Sequence, residues 1–158
     1  MTHSTKNDFD FLFGQWRVFH RRLKIRLANN HDWQAFEGTS VAQSLLGGMG
    51  NVVDNLLHLP EGTYRAVSMR SFDAHSHRWA IWWLDARNPH QLDVPVIGEF
   101  KNGVGTFFAN DQFNDQPILV RFLWTNTDTA SPVWEQAFSP DNGTSWETNW
   151  TMRFERAA

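Results

Sequence analysis

Cysteine is absent from this sequence of 158 residues, which excludes disulfide bonds and thiolate metal ligands. There is also no apolar run approaching the roughly 18 residues that a membrane-spanning helix needs. A secretory signal peptide has an apolar segment after a basic start, and the first residues show no such pattern. Together these absences predict a cytoplasmic protein that does not associate with a membrane.

A charge excess of one sign is lacking as well. The formal net charge is -3, with acidic and basic residues interspersed, so no basic surface for nucleic acid is predicted. Neither a Gly-x-Ser-x-Gly elbow, a His-Glu-x-x-His pair nor a dinucleotide fingerprint occurs, which leaves the common hydrolase, zinc-protease and nucleotide-binding classes without support. Large aromatics are abundant instead, with nine Trp and thirteen Phe beside one Tyr, and they favour strands around a bulky core.

Strand-like patterns separated by short turn signals run through nearly the whole chain. They cover residues 15–27, 33–46, 51–59, 63–72, 78–86, 94–101, 104–111, 118–127, 133–139 and 144–155. Residues 8–13 are predicted to form one helical turn before the first strand. Consecutive strands with short links must hide their edges, and closure into a barrel does so. We therefore predict an all-β protein, a single domain over residues 8–156 that forms an up-and-down antiparallel barrel of about ten strands; a two-sheet sandwich is the alternative.

Two hairpins determine which side chains face the interior, because a one-residue slip inverts the faces. Pairing Phe72 with Arg78 places Arg65 opposite Asp85. The face shared with that pair then contains Val67, Met69, Trp79, Ile81 and Trp83.

In the last hairpin, pairing Ser139 with Thr144 gives two faces that are each aromatic at one end, so both orientations stay open. One face contains Trp134, Gln136, Phe138, Glu147, Asn149, Thr151 and Arg153. The other contains Val133, Ala137, Trp146, Trp150, Met152 and Phe154.

The first strand carries the most specific motif of the chain. Gly14-Gln15-Trp16 follows a short aromatic turn and resembles the Gly-x-Trp element of lipocalins and other calycin barrels. That resemblance implies that Trp16 plugs one end of the barrel beneath an arginine from the last strand, either Arg153 or Arg156.

Longer segments are similar to an uncharacterised bacterial family of lipocalin-like proteins, a domain of unknown function. They include Phe11-Leu12-Phe13-Gly14-Gln15-Trp16, Gly47-Gly48-Met49-Gly50-Asn51, Arg70-Ser71-Phe72-Asp73, Trp83-Leu84-Asp85 and Trp134-Glu135-Gln136-Ala137-Phe138-Ser139. This resemblance implies a fold rather than an activity.

The sequence departs from better-known barrel families, and each departure removes a property that the resemblance would otherwise imply. Residues 28–32 are too short for the helical lid of fatty-acid-binding proteins. The last histidine is His90, so the iron ligand that nitrobindin-type haem barrels place near the C-terminus is missing. His75 and His77 lie two apart in a turn without a third ligand, and we interpret them as solvated. No cofactor and no metal are predicted.

Polar side chains within aromatic strands are the candidate ligand contacts. His20 shares a face with Trp16 and is either a base, an anchor or a hydrogen-bonded structural histidine. Arg121 lies in mid-strand and either faces water or binds an anionic head. Glu147 and Asn149 are either inward anchors or solvated residues. The full candidate set is Trp16, His20, Trp83, Asp85, Arg121, Trp124, Trp134, Gln136, Glu147 and Asn149.

Three functions are compatible with these observations. The first is binding of a small, largely apolar molecule with a carboxylate or carbonyl head, in a barrel closed at one end by Trp16 and Arg153. The second is an isomerase, cyclase or lyase that uses Asp85, Glu147 or His20 for proton transfer. The third is an oligomeric structural module whose barrel is filled by its own tryptophans. Either a monomer or a homodimer fits the sequence.

Overall fold

The computed structural model describes residues 3–157, and over these residues ten antiparallel strands close into one barrel. Each strand pairs with its neighbours in sequence, and the first pairs with the last. The strands are β1 (Gly14–Leu23), β2 (Trp33–Leu45), β3 (Gly50–Leu59), β4 (Gly62–Asp73), β5 (Arg78–Asp85), β6 (Val96–Lys101), β7 (Val104–Phe113), β8 (Gln116–Thr125), β9 (Val133–Ser139) and β10 (Glu147–Arg156). The predicted all-β up-and-down barrel is confirmed.

Helical structure within residues 3–157 is limited to two 3₁₀ turns, Asp10–Leu12 and Leu46–Gly48. The first of these lies inside the predicted helical turn at residues 8–13. None of the described segments is a helix long and apolar enough to cross a membrane.

The turn at Asp10–Leu12 packs into one end of the barrel as a plug. The Phe9 ring lies 4.9 Å from Trp79 and 5.0 Å from Phe100, both in edge-to-face geometry, which is favourable for aromatic rings. Trp16 donates from Nε1 to the Leu12 carbonyl at 2.7 Å. These contacts fill this end of the barrel with side chains, and we call it the closed end.

Arg156 covers the Trp16 ring at the closed end, with its Cζ 3.8 Å from the ring centroid. The guanidinium also donates from Nη2 to the Phe11 carbonyl at 2.9 Å. Arg153 instead lies over Phe19 at 4.4 Å. The expectation that Arg153 closes this end was therefore wrong, and Arg156 takes that position because β10 pairs Arg156 with Trp16.

β1 ends at Leu23 rather than at residue 27. Residues 24–32 form an irregular loop closed by a hydrogen bond from the Lys24 N–H to the Asp32 carbonyl at 3.0 Å. Leu27 and Asn29 adopt left-handed backbone angles, with φ of 54° and 51°. A strand cannot continue through such angles, so the apolar residues of this segment belong to a loop at the end of the barrel opposite the plug.

The β4–β5 hairpin differs from the predicted register by one residue. Phe72 pairs with Trp79, and Ala66 rather than Arg65 lies opposite Asp85. The turn is a residue shorter than expected, because Asp73 caps it by accepting from the His75 N–H and the Ser76 hydroxyl, both at 2.9 Å. The slip turns Val67 and Met69 outward. The inward face of β4 is instead Tyr64, Ala66, Ser68, Arg70 and Phe72.

A β-bulge explains why both faces of the last hairpin contain aromatic residues. Thr148 pairs with Ala137 and Trp150 pairs with Gln136, which leaves Asn149 as the extra residue. The bulge shifts the alternation by one residue. Consequently both aromatic sets point inward, Trp134, Gln136 and Phe138 from β9 and Trp150, Met152 and Phe154 from β10.

Candidate ligand-binding cavity

The end of the barrel opposite the plug contains a cavity of about 250 Å³. Small-molecule sites typically measure roughly 300–1,000 Å³, so this cavity suits a compact ligand. Its apolar walls are Ile81, Trp83, Val96, Ile118, Val120, Phe122, Trp134, Phe138 and Trp150. A barrel filled by its own tryptophans is disfavoured by this space.

β5 and β6 separate at the end of the barrel that contains the cavity. These strands pair only from Trp79–Gly98 to Ile81–Val96. Beyond Ile81, the chain between them folds back on β5, with the Asp93 N–H donating to the Trp83 carbonyl at 3.0 Å. This loop brings Asp93 and Val94 to the mouth of the cavity.

One side of the mouth is positive. Arg22 is the last inward residue of β1 and donates from Nη1 to the Tyr64 hydroxyl at 3.1 Å. Its Cζ lies 5.0 Å from the Trp150 ring. Arg26 reaches the mouth from the loop at residues 24–32, with its Cζ 5.4 Å from the Phe138 ring. Burial, assisted by the charge of Arg22, lowers the pKa of Arg26 to about 10, so it remains a cation at neutral pH.

Neither Arg22 nor Arg26 takes part in the ion pairs formed among residues 3–157. Both contact aromatic rings instead. Carboxylates act on them only from beyond ion-pair distance, Glu147 on Arg26 and Asp85 on Arg22. The two neighbouring guanidinium groups repel one another, and an anion between or beside them relieves that repulsion.

The other side of the mouth is acidic. Asp85 and Arg87 form an ion pair at 2.7 Å, and the Arg87 guanidinium lies 3.5 Å from the Tyr64 ring centroid. Burial alone would raise the pKa of Asp85, but hydrogen bonds from Arg87 lower it below its usual range. Asp93 lies at the exposed rim, where partial burial of its carboxyl and the charges of Asp111 and Asp85 raise its pKa.

Four of the ten predicted contact residues line this cavity: Trp83, Asp85, Trp134 and Gln136. Gln136 donates from Nε2 to Asn149 Oδ1 at 2.8 Å. Asn149 is fully buried behind it and so fixes the orientation of the Gln136 amide.

His20 lies in the barrel wall, 4% exposed, and does not line the cavity. Its Nδ1 accepts a hydrogen bond from Trp150 Nε1 at 3.1 Å, and its ring stacks on Phe36 at 4.6 Å. Burial, followed by the charge of Arg22, lowers the pKa of His20 to about 3. His20 is thus a neutral imidazole that accepts a hydrogen bond from an indole. This is the hydrogen-bonded structural histidine, one of the alternatives given for His20 from the sequence.

The remaining predicted residues lie elsewhere. Trp16 is in the closed end, and Trp124 lines a smaller cavity next to it. Glu147 is at the rim, where its carboxylate accepts from the Leu27 N–H at 2.7 Å. Arg121 lies on the outer face of β8, with its Cζ 4.5 Å from the Trp146 ring. It therefore does not reach the cavity.

Several mouth residues were absent from the predicted set: Arg22, Arg26, Tyr64, Asp93 and Asp111. A signal for Arg22 was present, because it continues the alternation that buries Trp16, Val18 and His20. No comparable signal marked Arg26, which lies in an irregular loop. No group of three His, Asp or Glu suited to a metal occurs within residues 3–157.

The fold and the cavity define a class: a closed ten-stranded antiparallel barrel with one plugged end and one end that opens into an aromatic cavity. A scan against known protein families finds no match for this chain, and a search of curated proteins finds none either.

Proposed function

We propose that this protein binds a compact amphipathic carboxylate in its barrel. The apolar, preferably aromatic, body of the ligand occupies the cavity between Trp83 and Trp134, and its carboxylate pairs with Arg22 and Arg26. The observation that carries the proposal is the pair of guanidinium groups above an aromatic cavity, neither of which is in a salt bridge among residues 3–157.

Both parts of such a ligand gain from this site. Transfer of apolar surface from water contributes about 25 cal/mol per Å², and the ring faces and edges around the cavity suit aromatic packing. Guanidinium groups match carboxylates in shape and form charge-assisted hydrogen bonds. Because Arg26 is already partly desolvated, it loses less hydration when an anion arrives.

We also propose that the barrel is lipocalin-like and cytoplasmic. The Gly14-Gln15-Trp16 motif and the stacking of Arg156 on Trp16 support the calycin resemblance. Without cysteine the fold does not require an oxidising compartment.

Isothermal titration calorimetry with two matched probes tests the binding proposal. The acid 2-naphthoate and its neutral amide, 2-naphthamide, have the same ring and differ in charge. The acid is expected to bind at least 10-fold more tightly, because hydrogen bonds to charged groups contribute about 1.5–3 kcal/mol.

Substituting Arg22→Gln or Arg26→Gln should weaken binding of the acid about 10-fold or more and leave the amide nearly unchanged. Arg17→Gln is the matched control, since Arg17 lies on the outer side of β1 in an ion pair with Glu37. Equal affinities for acid and amide in the unmodified protein would contradict the proposal.

The enzymatic alternative has less support. Of the three proton-transfer candidates, only Asp85 lines the cavity, and it is held by Arg87. His20 and Glu147 are each occupied by a hydrogen bond within the fold. A neutral imidazole buried in the wall and a carboxylate bound to a backbone N–H are poorly arranged for proton transfer to a bound ligand.

A further inference from the structure

A second, smaller cavity of about 30 Å³ lies between the main cavity and the plug. Ile81, Trp83, Phe122 and Trp134 line both cavities and form the partition between them. A water molecule needs about 10–15 Å³, so the smaller cavity has room for two or three particles of that size.

Arg70 from the inward face of β4 lines this cavity, and it is 6% exposed. Its Nη1 donates to Asn51 Oδ1 at 3.0 Å, and its Cζ lies 4.6 Å from the Phe9 ring and 5.7 Å from the Trp124 ring. None of the ion pairs among residues 3–157 includes it. Burial lowers the pKa of Arg70 to about 9, so the side chain is still a cation at neutral pH.

A buried charge without a counter-charge is costly for a folded protein. The neutral amide of Asn51 and the two aromatic rings offset part of this cost. They supply no negative charge, and a small anion in the adjoining cavity would.

The polar atoms left without partners near Arg70 are hydrogen-bond donors. Arg70 Nε and Trp124 Nε1 are buried without a hydrogen-bond partner, and neither atom can accept a hydrogen bond. Ser68 lines the same cavity, and its hydroxyl can donate as well. Asn55 also lines the cavity, and its amide already bonds to Ser40, Val53 and Ala66. An occupant that accepts hydrogen bonds would match the unpartnered donors.

We propose that the smaller cavity is a binding site for a monovalent anion of halide size, such as chloride. Such an ion satisfies the unpartnered donors and neutralises Arg70, whereas a water molecule does only the first. A space of about 30 Å³ favours a small, spherical anion over a larger one. The site is separate from the proposed carboxylate site at the mouth, and each proposal can be true if the other is false.

Thermal unfolding in mixtures of sodium chloride and sodium gluconate at constant ionic strength tests the proposal. An anion that binds only the folded state stabilises it in proportion to its concentration. The unfolding temperature should therefore rise with the chloride fraction in the unmodified protein. The rise should disappear in Arg70→Met, which removes the charge and keeps much of the side-chain volume.

Arg65→Met is the matched control, because Arg65 lies on the outer face of the same strand in an ion pair with Asp54 at 3.5 Å. It should retain the full chloride response. A chloride response that Arg70→Met retains would overturn the proposal, as would no response in the unmodified protein.

A crystal of the unmodified protein grown in sodium bromide supplies a readout that does not depend on the folding of any variant. The proposal predicts an anomalous difference peak in the smaller cavity, within hydrogen-bond reach of Arg70 and Trp124. Density there without anomalous signal would identify water and overturn the proposal.

Discussion

His20 shows how burial determines the charge of a single side chain in this barrel. It packs on Phe36 and accepts a hydrogen bond from Trp150, so the ring is held in the neutral form. Protonation would convert the acceptor nitrogen into a donor facing another donor, in a wall that excludes water. The histidine is therefore part of the frame that orients Trp150, which lines the cavity.

This arrangement predicts a pH dependence of stability. The pKa of His20 falls from 6.5 to about 3 on folding, so below pH 6.5 the unfolded chain binds a proton that the barrel excludes. The free energy of unfolding should then decrease as the pH falls from 6.5 towards 3, by up to about 1.4 kcal/mol per pH unit from this residue. Urea unfolding at pH 7, 6 and 5 measures it.

His20→Gln keeps an acceptor for Trp150 and cannot be protonated, so it should lose this part of the slope. His58→Gln is the control, because His58 is exposed on β3. Parallel pH curves for the unmodified protein and His20→Gln would contradict the role assigned to the histidine.

At the scale of elements, the loop at residues 24–32 controls the positive side of the mouth. It carries Arg26, and its backbone is held by a hydrogen bond from the Leu27 N–H to the Glu147 carboxylate at 2.7 Å. The left-handed conformation of Leu27 costs energy in a residue with a Cβ atom. Glu147 thus acts through the loop, and we describe it as a positioning residue.

Glu147→Ala should free the loop, whereas Glu147→Gln should hold it, because the amide oxygen still accepts from the Leu27 N–H. Amide hydrogen exchange at Leu27 is expected to rise several-fold in the alanine variant and little in the glutamine variant. Affinity for 2-naphthoate should follow the same order. Unchanged exchange in Glu147→Ala would show that other contacts hold the loop.

The strands and their turns also show where sequence patterns stop being informative. Alternation and turn signals predicted all ten strands, since each strand has one buried face. They failed at register: the Asp73 cap shortens one turn, and the bulge at Asn149 inverts part of β10. Neither feature changes the residue types along the strand, so no pattern of apolar positions could reveal them.

At the scale of the whole molecule, the candidate site follows from closure of the barrel. Trp83, Trp134 and Gln136 were predicted as contacts from their places on aromatic strands, and they line the cavity. Arg22 and Arg26 come together because β1 ends beneath a loop that folds over the mouth. Their proximity depends on that loop, which the pattern of β1 alone does not specify. A homodimer, which is compatible with the sequence, stays a prediction.

Indole N–H signals in a ¹H–¹⁵N spectrum test binding within the barrel most directly, since the nine tryptophans are distributed over different parts of it. Titration with 2-naphthoate should shift the signals of Trp83, Trp134 and Trp150, which line the cavity. The signals of Trp33, Trp82 and Trp146, which do not line it, should stay in place. Shifts confined to those three residues, or none at millimolar 2-naphthoate, would contradict carboxylate binding in this cavity.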